Sequence, residues 1–156
     1  MSSVHRHTFT SLVNQHGWTT GVELGVDKGI LFGMLLRECP QLHLTGVDLF
    51  PNRERSHRAF VHARTFADRS LLLTARTDEA CRLFDDGSLD FVFVDADHSY
   101  EGAASDIALW QSKVRPGGWF GGHDYTPKWP GVVRAVDEAF KGRFQQWPGT
   151  IWGLFI

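Results

Sequence analysis

Leu89-Asp90-Phe91-Val92-Phe93-Val94-Asp95-Ala96-Asp97-His98 is the stretch that decides the fold. Leu89–Val94 is an apolar run rich in Val and Phe, as expected of a strand covered on both faces. It gives way at once to acids and a histidine. Outward from it, strands and helices alternate. Upstream, residues 8–17 read as an opening helix. Thr20–Leu24 reads as a strand that breaks at Gly25, and Ile30–Glu38 as a helix that Pro40 ends. His43–Phe50 alternates into a second strand ending at Asp48. Pro51 and Asn52 open a polar helix through Asp68, with Ala59, Phe60, Ala63, Phe66 and Ala67 at helical spacing. Ser70–Ala75 is a third strand, Asp78–Phe84 a third helix, and Asp86-Gly87 a turn. Downstream, Glu101–Val114 is a helix stopped by Pro116-Gly117-Gly118, Trp119–Gly122 a strand and Val132–Phe140 a helix. Phe144–Trp147 and Thr150–Ile156 close the chain as a hairpin across Pro148-Gly149.

Five strand–helix alternations predict an α/β fold: a mostly parallel sheet with helices on both faces, plus one antiparallel strand from the hairpin. No linker or repeat divides residues 1–156, so one domain is expected. The composition is that of a globular chain, 42% hydrophobic, 22% charged and 13% aromatic. A net charge of −2 attracts neither nucleic acid nor an anionic membrane. No apolar run approaches the ~20 residues of a membrane span. The start, Met-Ser-Ser-Val-His-Arg-His, lacks the apolar core of a secretion signal. Cys39 and Cys81 lie far apart and read as reduced thiols of a cytoplasmic protein, with a disulfide as the alternative.

In such sheets ligands sit at the carboxyl ends of the strands. Those ends carry Glu23-Leu24-Gly25, Asp48, Thr77-Asp78, Asp95-Ala96-Asp97-His98 and His123-Asp124. A pyrophosphate on the first helix would want G-x-G-x-x-G. The chain has E-x-G-x-x-x-G at Glu23–Gly29. Glu23 and Asp27 would repel a pyrophosphate but suit an ammonium and a sulfonium. Gly25 allows a tight turn and close ligand approach, and Gly29 allows the helix start to pack on the strand. Asp48 follows Gly25 by 23 residues, near the ~20 at which a carboxylate grips a ribose diol. The implied ligand is a cationic nucleoside without phosphates. A nicotinamide-dependent oxidoreductase is disfavoured by the same loop. Asp48 as a solvated strand end, and Thr77 as a helix N-cap, are the plainer readings.

With these stretches in place the chain resembles the class I S-adenosylmethionine-dependent methyltransferases. It is most similar to the small branch whose fourth strand reads F-V-D-A-D-H-S-Y-E, here Phe93–Glu101, followed by Arg115-Pro116-Gly117-Gly118. The resemblance implies a Rossmann-like seven-stranded sheet of order 3-2-1-4-5-7-6. It implies S-adenosylmethionine as cofactor, with Glu23 and Gly25 lining its methionine part and Gly29 among the cofactor-binding residues. Asp48 and Leu49 would lie at the ribose, Thr77 and Asp78 beside the adenine, and Asp95 where the cofactor meets the chemistry. Leu31 stands where relatives often carry Ser or Thr.

Asp95 and His123-Asp124 end neighbouring strands in that order. Carboxylates and an imidazole in one cleft form a candidate divalent metal site, and a cofactor site without metal is the other reading. Such an ion, Mg²⁺ or Mn²⁺, would lower the pKa of a hydroxyl acceptor. His98 is the candidate general base because imidazole titrates near neutrality. The similarity to metal-dependent sugar and catechol O-methyltransferases implies Asp95, His123 and Asp124 as ligands, with Asp95 and His98 the catalytic pair. His123 departs from the carboxylate those sugar enzymes carry. Asp97 as a loop cap and His98 stacked on Tyr100 are the structural alternatives. The segment Ala96-Asp97-His98 lacks the Pro-Pro-Tyr or Pro-Pro-Phe of base N-methyltransferases.

Arg53, Arg55, Arg58, Arg64 and Arg69 with His57 and His62 read as a solvated helix face rather than a nucleic-acid surface. No insertion forms a substrate lid. Recognition of a small-molecule acceptor therefore falls to the first 16 residues, the 124–131 loop with Trp129, or a second subunit of a homo-oligomer. A cofactor-binding protein with little catalysis of its own is the alternative reading.

Overall fold

A computed structural model describes residues 3–156; Met1 and Ser2 of the expected single domain lie outside the described residues. The elements run α1 Val4–His16, β1 Thr20–Leu24, α2 Ile30–Glu38, β2 His43–Asp48, α3 His57–Thr65, β3 Ser70–Thr74, α4 Thr77–Ala80, β4 Leu89–Val94, α5 Tyr100–Trp110, β5 Val114–Gly122, α6 Pro130–Phe140, β6 Gln145–Trp147 and β7 Ile151–Phe155. The seven strands form one sheet of order β3-β2-β1-β4-β5-β7-β6. β1 to β5 are parallel, and β7 runs antiparallel to both β5 and β6.

The central strand shows why the sequence closes this way. Successive side chains of a strand face opposite sides. Phe91 and Phe93 enter one core with Phe9, Val13, Trp18, Phe32, Leu35 and Trp119. Val92 and Val94 enter the other with Ile107, Trp110, Phe120, Val136 and Trp152. Burial on both faces leaves no room for polar alternation, hence the apolar run. Asp90, at the other end of β4, accepts from the Thr19 and Thr20 amides and pairs with Arg115 at 2.6 Å, tying β1, β4 and β5 together away from the site.

The structure departs from the sequence reading in three places. The polar helix begins at His57 rather than Asn52. Residues 53–56 turn instead, the Asn52 side chain accepts from the Arg55 amide, and Arg55 is drawn across to Asp27. The third helix is a single turn followed by a 3-10 turn over Cys81–Leu83. Pro116-Gly117-Gly118 does not separate a helix from a strand. It lies inside β5, which begins at Val114 and shifts register against β4 between Leu89 and Phe91, an irregularity of the kind that accommodates proline. Both cysteines are buried and free. No helix among the described residues is long and apolar enough to cross a membrane.

Candidate active site

The carboxyl ends of β1 to β5 open onto a cleft of about 1030 Å³. Glu23 reaches it from β1. The residue is 3% exposed, and its Oε2 has no hydrogen-bond partner. Burial, then the nearby charges of Asp95 and Asp48, push its carboxyl well above the usual range. A buried acid without a partner is costly, and a cationic donor in the cleft would relieve it.

Gly25 forms the junction between the two halves of the cleft. Its φ is +84°, and a Cβ there would lie 2.0 Å from the Asp95 carbonyl oxygen. Its amide donates to Val47 O, and the Asp95 amide donates to Leu24 O. Close approach at Gly25 is thus first of all to β4. Gly29, with φ +70°, caps α2 and packs on Ala59 of α3, not on the strand as the sequence reading had it. Asp48 is held in place by two amides: Oδ2 accepts from Asp27 and Oδ1 from Phe50. Leu49 lines the cleft and is 58% exposed. Asp27 does not offer a free charge, because Arg55 pairs with it through two contacts. Thr77 is the first helical residue of α4, and Arg76 takes the cap position expected of it. Asp78 pairs with Arg76 at 2.9 Å, and Trp110 donates its indole N–H to Thr77 O.

At the other end, four titratable groups converge. His98 Nε2 lies 2.7 Å from Asp124 Oδ2 and 3.4 Å from Asp95 Oδ1. His123 Nδ1 lies 3.2 Å from Asp124 Oδ1 and 3.6 Å from Asp95 Oδ2. The adjacent carboxylates of Asp124 and then Asp95 outweigh burial and raise His98 to about 9. Burial pulls His123 down, but the same carboxylates prevail and raise it to about 9. Burial raises Asp124, yet the two imidazoles outweigh it and hold its carboxyl well below the usual range. Although close to both carboxylates, His98 Nε2 is buried and makes no well-directed N–H bond to either. Asp95, His98 and Asp124 present donor atoms all within 4.8 Å of one another. By this measure His98, expected as a base, belongs to the group that could hold a metal. His123, expected as a ligand, adjoins the same carboxylates.

The loop that carries His98 is built locally. Asp97 accepts from the Ser99 amide and hydroxyl, and Ser99 caps α5 by accepting from the Gly102 amide. Asp97 therefore is a loop cap. His98 stacks on Trp129, with centroids 4.3 Å apart, and not on Tyr100, whose hydroxyl donates to Glu138. The arginine-rich helix face is partly consumed internally: Arg55 serves Asp27, and Arg69 donates to the carbonyls of Leu36, Cys39 and Leu42.

A family model described as a methyltransferase domain matches residues 22–125, the span from β1 to the end of the His–Asp cluster. The chain belongs to the methyltransferase domain family. No curated protein sequence matches it. Among solved structures, the methyltransferase is similar to an apo TDP-rhamnose 3'-O-methyltransferase of calicheamicin biosynthesis, CalS11. TM-score is 0.74 and identity 16%, over 95% of this chain and 77% of that one. It is also similar to an O-methyltransferase from Bacillus cereus in complex with SAH, with TM-score 0.72 and 16% identity, over 97% and 80% of the two chains. A third, called a putative caffeoyl-CoA O-methyltransferase from Staphylococcus aureus, gives TM-score 0.75 at 12% identity over 96% and 80%. The fold is the class I S-adenosylmethionine-dependent methyltransferase fold.

Three residues of the methyltransferase site escaped the sequence reading. His5 of α1 stacks on His123 with centroids 4.0 Å apart, and burial followed by the His123 charge lowers it to about 4. Gly149 of the closing hairpin packs on the His5 backbone, so both chain ends wall the cleft over His123. Asp106 of α5 lines the cleft too, and is 2% exposed. Its only sequence signal is a carboxylate among Ala103, Ile107 and Trp110, the buried face of α5.

Proposed function

We propose that this methyltransferase carries a methyl group from S-adenosylmethionine to a hydroxyl of a small molecule, assisted by a divalent ion. One observation carries the reading. A crevice with an unpartnered buried carboxyl, Glu23, and an amide-held carboxylate, Asp48, joins the His98–Asp95–Asp124 cluster through Gly25. Those two acids fit a ligand with an ammonium and a ribose diol, and the loop offers no phosphate cradle. Bound S-adenosylmethionine supplies a sulfonium methyl open to in-line attack by an oxygen.

Asp95, Asp124 and His123 are the residues that would hold the ion, leaving His98 as the base, with oxygen donors favouring Mg²⁺ and imidazole admitting Mn²⁺. Its charge would lower the pKa of the acceptor hydroxyl. Trp129 and His5 flank the space beside His98 and His123, where an acceptor must lie to face the methyl group. The hydroxyl proton would pass to His98 as the oxygen–methyl bond forms and the methyl–sulfur bond breaks, with S-adenosylhomocysteine as the leaving thioether. For that the imidazole must be neutral. Asp124 and Asp95 raise its pKa to about 9, and a cation held by these carboxylates would lower it again. A cofactor-binding protein with little catalysis of its own is the second reading, favoured by the raised pKa of His98 among two carboxylates.

Two measurements test the proposal. S-adenosylhomocysteine is expected to raise the melting temperature and NAD to leave it unchanged; stabilisation by NAD alone defeats the cofactor assignment. In calorimetry, Mn²⁺ is expected to bind wild type and to lose at least about tenfold in affinity in Asp95→Ala, since ligand loss strips a charged bond from the ion. Equal binding by both removes Asp95 from the ligand set.

A further inference from the structure

Five Lys and Arg side chains line the cleft: Arg6, Lys28, Arg55, Arg76 and Lys128. Two are spent on acids at the β1–β3 end, Arg55 on Asp27 and Arg76 on Asp78. Lys28 is exposed beside Asp27, ahead of α2. Arg6 and Lys128 belong to the other end, with the chemistry. Arg6 is partly buried on α1, next to the His5 that stacks on His123. Lys128 precedes Trp129, which stacks on His98, and its Nζ lies 5.3 Å from the centre of the Trp129 ring. Neither Arg6 nor Lys128 forms a side-chain hydrogen bond or an ion pair with a described residue. The acids nearest the reaction, Asp95 and Asp124, already face His98 and His123.

His5, Arg6, Thr126, Lys128, Trp129 and Thr150 make the wall against which an acceptor would rest. These six side chains include no aliphatic one and no carboxylate. The whole chain carries a net charge of −2, so the positive charge here is local. Two uncompensated cations on the walls of a cleft focus a positive potential into it. The guanidinium of Arg6 offers forked N–H donors and Lys128 a compact ammonium, a pair suited to the oxygens of a phosphate or carboxylate. We propose that Arg6 and Lys128 form a subsite for an anionic group carried by the acceptor, so that the hydroxyl to be methylated belongs to a phosphate ester or a carboxylic acid. The inference deepens the proposed function and rests on it for where the acceptor lies.

The probes are inorganic phosphate and acetate, titrated at constant ionic strength into the chain loaded with S-adenosylhomocysteine, with a metal chelator present. The chelator excludes an anion held through an ion, and the loaded ligand excludes one in the place of its own carboxylate. Binding is followed at the Trp129 indole N–H resonance, identified by its loss in Trp129→Phe. At least one anion is expected to saturate wild type in the millimolar range. A preference for phosphate assigns the acceptor a phosphate ester, and a preference for acetate a carboxylic acid. Arg6→Gln and Lys128→Gln are each expected to weaken binding about tenfold, the loss of one charge-assisted contact. Lys28→Gln is expected to bind as wild type does. Wild type that neither anion saturates overturns the proposal, and so does unchanged affinity in Arg6→Gln or Lys128→Gln. Loss in Lys28→Gln alone moves the anion to α2 and overturns it too. Failure of S-adenosylhomocysteine to bind wild type defeats the cofactor reading instead, and the same titration of the unloaded chain then decides the subsite.

Discussion

Replacing His98 with alanine is expected to slow methyl transfer to a hydroxyl acceptor about 10²- to 10⁴-fold, the usual contribution of a positioned base, while S-adenosylhomocysteine affinity stays unchanged. His98 lies at the β4–β5 end of the cleft, whereas Glu23 and Asp48 line the crevice at β1 and β2. The base acts when neutral, so the rate rises with pH as the imidazole loses its proton. Asp124 and Asp95 raise its pKa to about 9, and added Mn²⁺ should move the rising limb to lower pH. The stability profile has a related sign. A histidine whose folded pKa is raised from 6.5 to about 9 stabilises fully below 6.5 and loses that contribution as pH climbs to about 9. His98→Ala should flatten this decline in denaturant melts across the same window. Turnover by His98→Ala at the wild-type rate would eliminate the base assignment.

Gly25→Ala is expected to cost about 2–5 kcal/mol, adding backbone strain at positive φ to the overpacking of a closed junction. The new Cβ would stand 2.0 Å from the Asp95 carbonyl oxygen and 2.7 Å from Ala96 Cα, backbone atoms with no rotamer to yield. Relief requires β1 and β4 to part where Glu23 and Asp95 meet the cleft, so S-adenosylhomocysteine binding should fall as well. Gly17→Ala is the control. Gly17 has φ +62° and nothing within 4 Å of its Cβ, so it bears the left-handed penalty alone, about 1–2 kcal/mol. Chemical denaturation of both variants reads the difference. Equal losses would show that the Gly25–Asp95 contact relaxes freely.

What the sequence disclosed follows from how local each determinant is. β4 was legible residue by residue because burial on both faces imposes an apolar run. The order of strands added Glu23, Asp48, Asp95 and Asp124 to one cleft, since parallel strands deliver their carboxyl ends together. The first turn of the polar helix misled because its loss depends on a pairing between Asp27 and Arg55, 28 residues apart, that periodicity cannot register. Pro116-Gly117-Gly118 misled as a helix stop, because the helix ends at Trp110 and the chain has already become a strand at Val114. His5 was invisible for a similar reason: only the folded sheet brings α1 over His123. Asp106 looked like one more helix acid until its burial was known.

The contact of His5 with Gly149 has a consequence for variation. Neither α1 nor the 148–150 turn belongs to the parallel strands that carry the acids, so this wall can be reshaped by substitution, insertion or grafting while Glu23, Gly25 and Asp95 keep their register. Under the proposed function, substrate preference and reactivity would fall to separable portions of the chain, an arrangement suited to diversification around a fixed reaction.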